Sequence, residues 1–115
     1  MDVTLYHNPR CSKSRETLAL LEARGIKPVI VAYLDTPPAA AELRALLQAL
    51  GLRARQLVRD KEAAWAKYAA LDETDDERII AALIADPVLI ERPIVVRGSR
   101  AVLGRPPGNI AQLFD

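Results

Sequence analysis

The sequence predicts an α/β protein: a βαβ unit and a ββα unit sharing one mixed sheet, with helices inserted between them. Three observations carry this. Short β-branched apolar runs occur at 3–6 and 28–34 and again at 94–97 and 100–103. A helical period separates the first two runs, and only a two-residue turn separates the last two. Between the pairs, roughly from 37 to 86, the chain shows helical patterning and no strand signal.

Each element has a local reason. Residues 3–6, VTLY, are strand formers, and His7-Asn8-Pro9 ends them. From Ser12 to about Arg24 the chain reads as a helix with Leu18, Leu21 and Ala19 on its apolar face, stopped by Gly25. Residues 28–34, PVIVAYL, form a nearly continuous apolar run, which suits a parallel strand buried on both faces. Thr36 is the expected N-cap of the next helix, with Pro37 at its first position and Gly51 as its stop. Residues 53–85 read as helix in three pieces, RARQLVRDK, EAAWAKYAAL and TDDERIIAALIAD; the third has an acidic first turn that complements the helix dipole. Pro87 breaks it. Then come IVVR and RAVL around Gly98-Ser99, and a proline-started helix in GRPPGNIAQLF. This is the element order of the thioredoxin-like fold with a helical insertion at about 37–86, expected as a single domain over 1–115.

Composition narrows the function. The chain has 115 residues, half of them hydrophobic, and a net charge of +1, so no basic excess marks a nucleic-acid binder. No apolar run is long enough to span a membrane, and no secretory signal is read at the N-terminus. With one cysteine there is no intrachain disulfide, and the simplest location is the reducing cytoplasm. Twelve of the sixteen basic residues are arginines, whose planar fork matches oxyanions; most of them read as solvated helix surface.

The chemistry converges on residues 7–15, HNPRCSKSR. Cys11 falls where the first strand passes into the first helix, at the end of the strands where α/β sheets place their sites. Free amides and the dipole of a helix N-terminus favour a thiolate and bind anions, and Arg10, Lys13 and Arg15 add positive charge. A thiolate beside an oxyanion site suggests attack on the oxyanion's central atom. A buried inert thiol is the alternative for a lone cysteine. Cys11-Ser12-Lys13-Ser14 is C-x-x-S, so any redox cycle must recruit an external thiol. Ser14 either donates to the thiolate or caps the helix. His7 either tunes the thiol or hydrogen-bonds within the turn. A phosphatase loop would need arginine six residues after the cysteine, where Thr17 stands. One His and one Cys are too few for a metal site.

The motif H-x3-C-x3-R at 7–15 is followed by YLDTPP at 33–38, QLVRDKE at 56–62, ERPIVV at 91–96 and GRPP at 104–107. In this order, over nearly the whole chain, they resemble the glutaredoxin-coupled arsenate reductase family, in a short branch that ends soon after GRPP. The resemblance implies Cys11 as nucleophile and Arg59, Arg92 and Arg105 around the oxyanion. It further implies a cis Arg92-Pro93 bond facing the cysteine, Asn8 and Ser14 supporting the loop, and Arg15 tuning its charge. It implies arsenate or a similar oxyanion as substrate, glutathione as co-substrate with no bound cofactor, and glutaredoxin as partner. A glutathione-dependent reductase or transferase acting on another substrate would need Cys11 but not the three arginines. A regulator binding RNA polymerase would be expected to carry C-x-x-C, which this chain lacks.

Overall fold

A computed structural model of the chain describes residues 2–114. Two compact units are present, residues 1–36 with 92–115, and residues 37–91. The first holds strands β1 (Val3–Tyr6), β2 (Val29–Val31), β3 (Ile94–Arg97) and β4 (Arg100–Leu103), helix α1 (Ser12–Ala23) and a 3-10 segment, Pro107–Leu113. The sheet order is β2-β1-β3-β4, with β1 parallel to β2 and antiparallel to β3, and β3 antiparallel to β4. This is the thioredoxin-like arrangement that the element order predicts.

The hairpin is as the sequence predicts. Gly98 carries φ +64° at the first loop position and, among the described residues, no non-glycine residue has positive φ, the pattern of a type II′ turn. Helix α1 ends where Gly25 allows it to. Gly25, at φ +77°, donates to Glu22 O, and Ile26 donates to Leu21 O at 3.0 Å, closing a Schellman motif. Val3, Leu5, Leu21, Val95, Ile110 and Leu113 form one buried cluster, so α1 and the C-terminal segment share the same side of the sheet. The Phe114 ring packs against the guanidinium groups of Arg24 and Arg97, which holds the segment's end.

Two expectations change here. β2 is an edge strand of three residues, with Val29 and Ile30 56% and 45% exposed, and not a strand buried on both faces. Apolar composition reports β-branched packing preference, while edge position is decided by the sheet order. On α1, Ala19 is exposed, and the buried stripe is Ser14, Thr17 and Leu21 with Leu18 partly covered. Hydrophobic periodicity cannot find a buried face whose polar atoms are satisfied internally.

In residues 37–91, α2 (Ala40–Leu50) and α3 (Asp76–Ala85) are α-helices, and Ala54–Leu57, Ala63–Lys67 and Pro87–Leu89 are short 3-10 turns. The N-cap of α2 is Ala39, not Thr36. Each residue that precedes a proline is turned away from helix, so Thr36-Pro37-Pro38 delays the start. The expected α-helix at 53–61 is cut because Val58 pairs with Ile90 in an antiparallel bridge, which requires extended backbone. Ala63–Lys67 buries none of its residues, so no packing sustains a longer helix there. α3 is capped as expected: Asp75 accepts from the Arg78 N–H, and Asp76 and Glu77 occupy the first turn. At the C-terminus the expected α-helix is 3-10, in keeping with the weak helix propensity of Pro107 and Gly108.

The edge position of β2 and the core position of α1 make a paired test by urea unfolding. Leu21→Ala should cost about 2–5 kcal/mol, because it empties a fully buried site. Val29→Thr should stay within about 0.5 kcal/mol.

Candidate active site

Register sets the geometry. Tyr6 pairs with Val31 and Ile94, and Ile94 pairs with Leu103. The segments that begin at His7, Ala32 and Gly104, and the one that ends at Pro93, therefore lie at one end of the sheet. That end holds the cysteine loop, the Arg92-Pro93 peptide and the Arg105 loop. Arg92-Pro93 is cis, as the resemblance implies, and Arg105-Pro106 is cis as well.

Cys11 is the N-cap residue of α1, half-buried, with φ −94° and ψ 124° and no side-chain cap hydrogen bond. Its N–H donates to Asn8 O at 3.0 Å, and its own carbonyl accepts from the Arg15 N–H at 3.0 Å. The thiol thus occupies the position where Ser, Thr, Asn or Asp would ordinarily satisfy the amides of the first turn.

The loop around it is wired by side chains. Asn8 Oδ1 accepts from the Arg10 N–H at 3.0 Å. Arg15 Nη1 donates to Pro9 O at 2.9 Å, which folds a guanidinium back over the loop. Ser14 is fully buried; its Oγ accepts from the Asn8 N–H at 3.1 Å and lies 2.6 Å from His7 Nδ1. A hydroxyl can donate one hydrogen bond and accept two, so the Oγ serves the Asn8 N–H and the His7 ring together and ties both to the first turn of α1. Ser14 is therefore not the helix cap, and His7 hydrogen-bonds within the turn. Burial, and then repulsion from Arg15, hold the His7 pKa below its ordinary 6.5. An open cleft of about 310 Å³ lies beside this loop, lined by His7, Asn8, Pro9, Arg10, Ala32, Leu34 and Asp35.

The two arginine loops are tied together. Gly104 N–H donates to Pro93 O at 2.9 Å, and Arg105 Nη1 donates to Arg92 O at 3.3 Å. Asn109 Nδ2 donates to the carbonyls of Leu103 and Arg105, which steadies the same loop from behind. Cys11, His7, Asn8, Ser14, Arg15, Arg92, Pro93 and Arg105 all belong to the unit that contains the sheet. Arg59 belongs to residues 37–91. There its N–H donates to Leu89 O beside the Val58–Ile90 bridge, and its guanidinium lies between Glu62 at 3.5 Å and Glu91 at 3.8 Å. Sequence reasoning did not single out Thr17, Gly104 or Asn109. The available signal was the glycine opening GRPP, a small residue next to an Arg-Pro pair.

The sequence pattern of the ArsC family matches residues 6–113. The chain is 43% identical over 117 residues to an arsenate reductase of Haemophilus influenzae, covering 99% of this chain and 100% of that protein. It is 48% identical over 113 residues to the uncharacterized protein YfgD of Escherichia coli K12, covering 96% and 95%. Its structure is similar to that of an arsenate reductase from Vibrio cholerae, with a TM-score of 0.92 at 47% identity and 97% of each chain covered.

The lowered pKa of His7 has a sign that can be measured. Between that value and 6.5 the unfolded chain binds a proton that the folded chain does not, so stability rises with pH through this window and is lost as pH falls through it. His7 is the only histidine, and Asp72, Glu77 and Asp86, held below their ordinary values by hydrogen bonds, act at lower pH. Urea midpoints between about pH 5 and 7.5 should climb in the wild type and run flat in His7→Gln; equal slopes would rule out the buried neutral ring.

Proposed function

The chain belongs to the ArsC family, and from that membership and the site geometry we propose that it is an arsenate reductase that uses Cys11 as its single nucleophile and glutathione with glutaredoxin as external reductants. The observation that carries the reading is the meeting, at one end of the sheet, of a cysteine at a helix N-terminus with the loops of Arg92-Pro93 and Arg105. The names of the relatives supply arsenate as the oxyanion.

The Cys11 thiolate attacks arsenic(V), forming an S–As bond as water or hydroxide leaves. Negative charge grows on the arsenic oxygens, where the free amides of the first turn of α1 and the guanidinium groups of Arg92 and Arg105 can receive it. The resemblance adds Arg59 as a third. A glutathione thiolate then attacks the Cys11 sulfur. The electron pair of the S–As bond stays with arsenic, which leaves as arsenite, and a Cys11–glutathione disulfide remains. Glutaredoxin reduces that disulfide and returns the thiolate. With Ser14 where a dithiol motif would have its second cysteine, the resolving thiol must come from outside the chain. The same reading places the enzyme in the reducing cytoplasm; among the described residues no helix is long and apolar enough to cross a membrane.

Purified protein given arsenate, glutathione and a glutaredoxin should release arsenite, and Cys11→Ser should release none. That variant should unfold no more easily than the wild type, because serine is a better N-cap, and a gain of up to about 1 kcal/mol is expected. Arg92→Ala and Arg105→Ala should each lower kcat/KM about 10²-fold. If both arginine variants keep full glutathione-dependent turnover, the oxyanion reading fails in favour of a thiol reductase or transferase.

A further inference from the structure

We propose that Gly104 is a positioning residue of the oxyanion site: the absence of a side chain there lets the Arg105 loop lie against α1 and Pro93, and so sets where Arg92 and Arg105 stand relative to Cys11. The inference rests on the reading of these arginines given above, but it comes from a separate feature of the packing.

A Cβ built on Gly104 would meet Thr17 Oγ1 at 2.5 Å, Pro93 Cγ at 2.7 Å and Thr17 Cγ2 at 3.2 Å. Ordinary carbon contacts lie near 3.5–4.0 Å, so something would have to move by roughly 1 Å. Thr17 is poorly able to move. It is fully buried, its χ1 is restricted by β-branching, and its hydroxyl donates to Lys13 O at 2.8 Å. Pro93 is a ring beside the first residue of β3, and its carbonyl already accepts from Gly104. The displacement therefore falls on residues 104–106, the segment that carries Arg105 and reaches Arg92 O through Arg105 Nη1.

The glycine is not there for backbone freedom, because the positive-φ glycines are Gly25, Gly51 and Gly98. Nor is smallness a general need of this segment: a Cβ at Gly108, four residues on, meets nothing within 4 Å. The requirement belongs to the three-way contact of Gly104, Thr17 and Pro93. Thr17 lies on the helix whose N-cap is Cys11, Pro93 follows Arg92, and Gly104 precedes Arg105. One contact thus spaces the nucleophile's helix from both arginine loops. A misplacement of about 1 Å at such a distance from the reacting atoms can cost 10²-fold.

The test reads oxyanion binding directly, as protection of Cys11 from iodoacetamide by increasing arsenate, in the intact protein. Gly104→Ala should raise the half-protecting arsenate concentration about tenfold or more, each protein being scaled to its own alkylation rate in the absence of arsenate. Gly108→Ala should match the wild type. Thr17→Ala introduced into Gly104→Ala removes the struck Oγ1 and Cγ2, leaves the contact with Pro93 Cγ, and should restore part of the protection. If Gly104→Ala does not fold, the Gly104→Ala/Thr17→Ala double variant is compared with Thr17→Ala alone and should need more arsenate for half-protection, though less than about tenfold more, the share left to Pro93 Cγ. A Gly104→Ala protein with the wild-type midpoint overturns the inference, as does a raised midpoint that Thr17→Ala leaves unchanged. A wild-type protein that millimolar arsenate does not protect overturns the oxyanion reading and the inference with it.

Discussion

The antiparallel pairing of β1 with β3 is the constraint on which this site depends. It joins the βαβ half to the ββα half, and its last pair, Tyr6 with Ile94, decides what meets what. Because that pair closes the ladder, the chain leaving β1 into the cysteine loop emerges beside the chain entering β3 from Arg92-Pro93. β4 extends the same logic through Leu103, which pairs with Ile94 and hands the chain to Gly104. A slip of one residue in either ladder would turn every side chain to the other face and would part these loops. The buried cluster of Val3, Leu5, Leu21 and Val95 makes such a slip costly, so hydrophobic packing also fixes the chemical geometry.

On that frame, polar side chains set the shape of the cysteine loop. Ser14 and Thr17 sit on the buried face of α1, where apolar residues would give a stronger core. Each is satisfied locally: Ser14 by His7 and the Asn8 amide, Thr17 by the Lys13 carbonyl. A buried polar atom is tolerable only when it is paired, and the pairing in turn fixes a geometry that apolar packing would leave looser. Ser14 therefore does for the loop what a second cysteine would do for a dithiol enzyme's chemistry: it is the partner three residues on, but it supplies hydrogen bonds and no sulfur. Arg15 contributes twice, by its hydrogen bond to Pro9 O and by the repulsion that helps keep His7 neutral.

How far the sequence could be read follows from where each signal lies. The hairpin was legible because Gly98-Ser99 separates two matching runs, and the stops of α1 and α2 because Gly25 and Gly51 supply the left-handed residue. Cys11 was legible because strand, proline and helix signals crowd around it. The sequence of β2 reads as a buried strand because Val29 and Ile30 carry no mark of an edge. The helix at 53–61 was misjudged because the Val58–Ile90 bridge is made by residues far apart in the chain. The same limit hides the arginines of the proposed oxyanion site: Arg92 and Arg105 differ from the other ten only in the prolines that follow them, and resemblance, not periodicity, points to them. Arg59 was selected in the same way, and its local surroundings are two carboxylates and a backbone bridge.

On the proposed reading, a thiol at the N-cap exchanges stability for reactivity. The position calls for an oxygen that would accept from the first-turn amides, and serine or aspartate there would strengthen the helix. Cysteine leaves those amides free to receive an anion, and puts the sulfur within the same positive field. The stability forgone is small beside what the fold gains from Leu5, Leu21 and Val95, each completely buried. An internal cap and an open anion site cannot occupy the same amides, so the weak cap is a physical condition of the proposed chemistry. In the proposed site, rigidity is then supplied where it does not compete with substrate: by Ser14, Thr17 and Asn109 behind the loops, and by a glycine small enough to let them close.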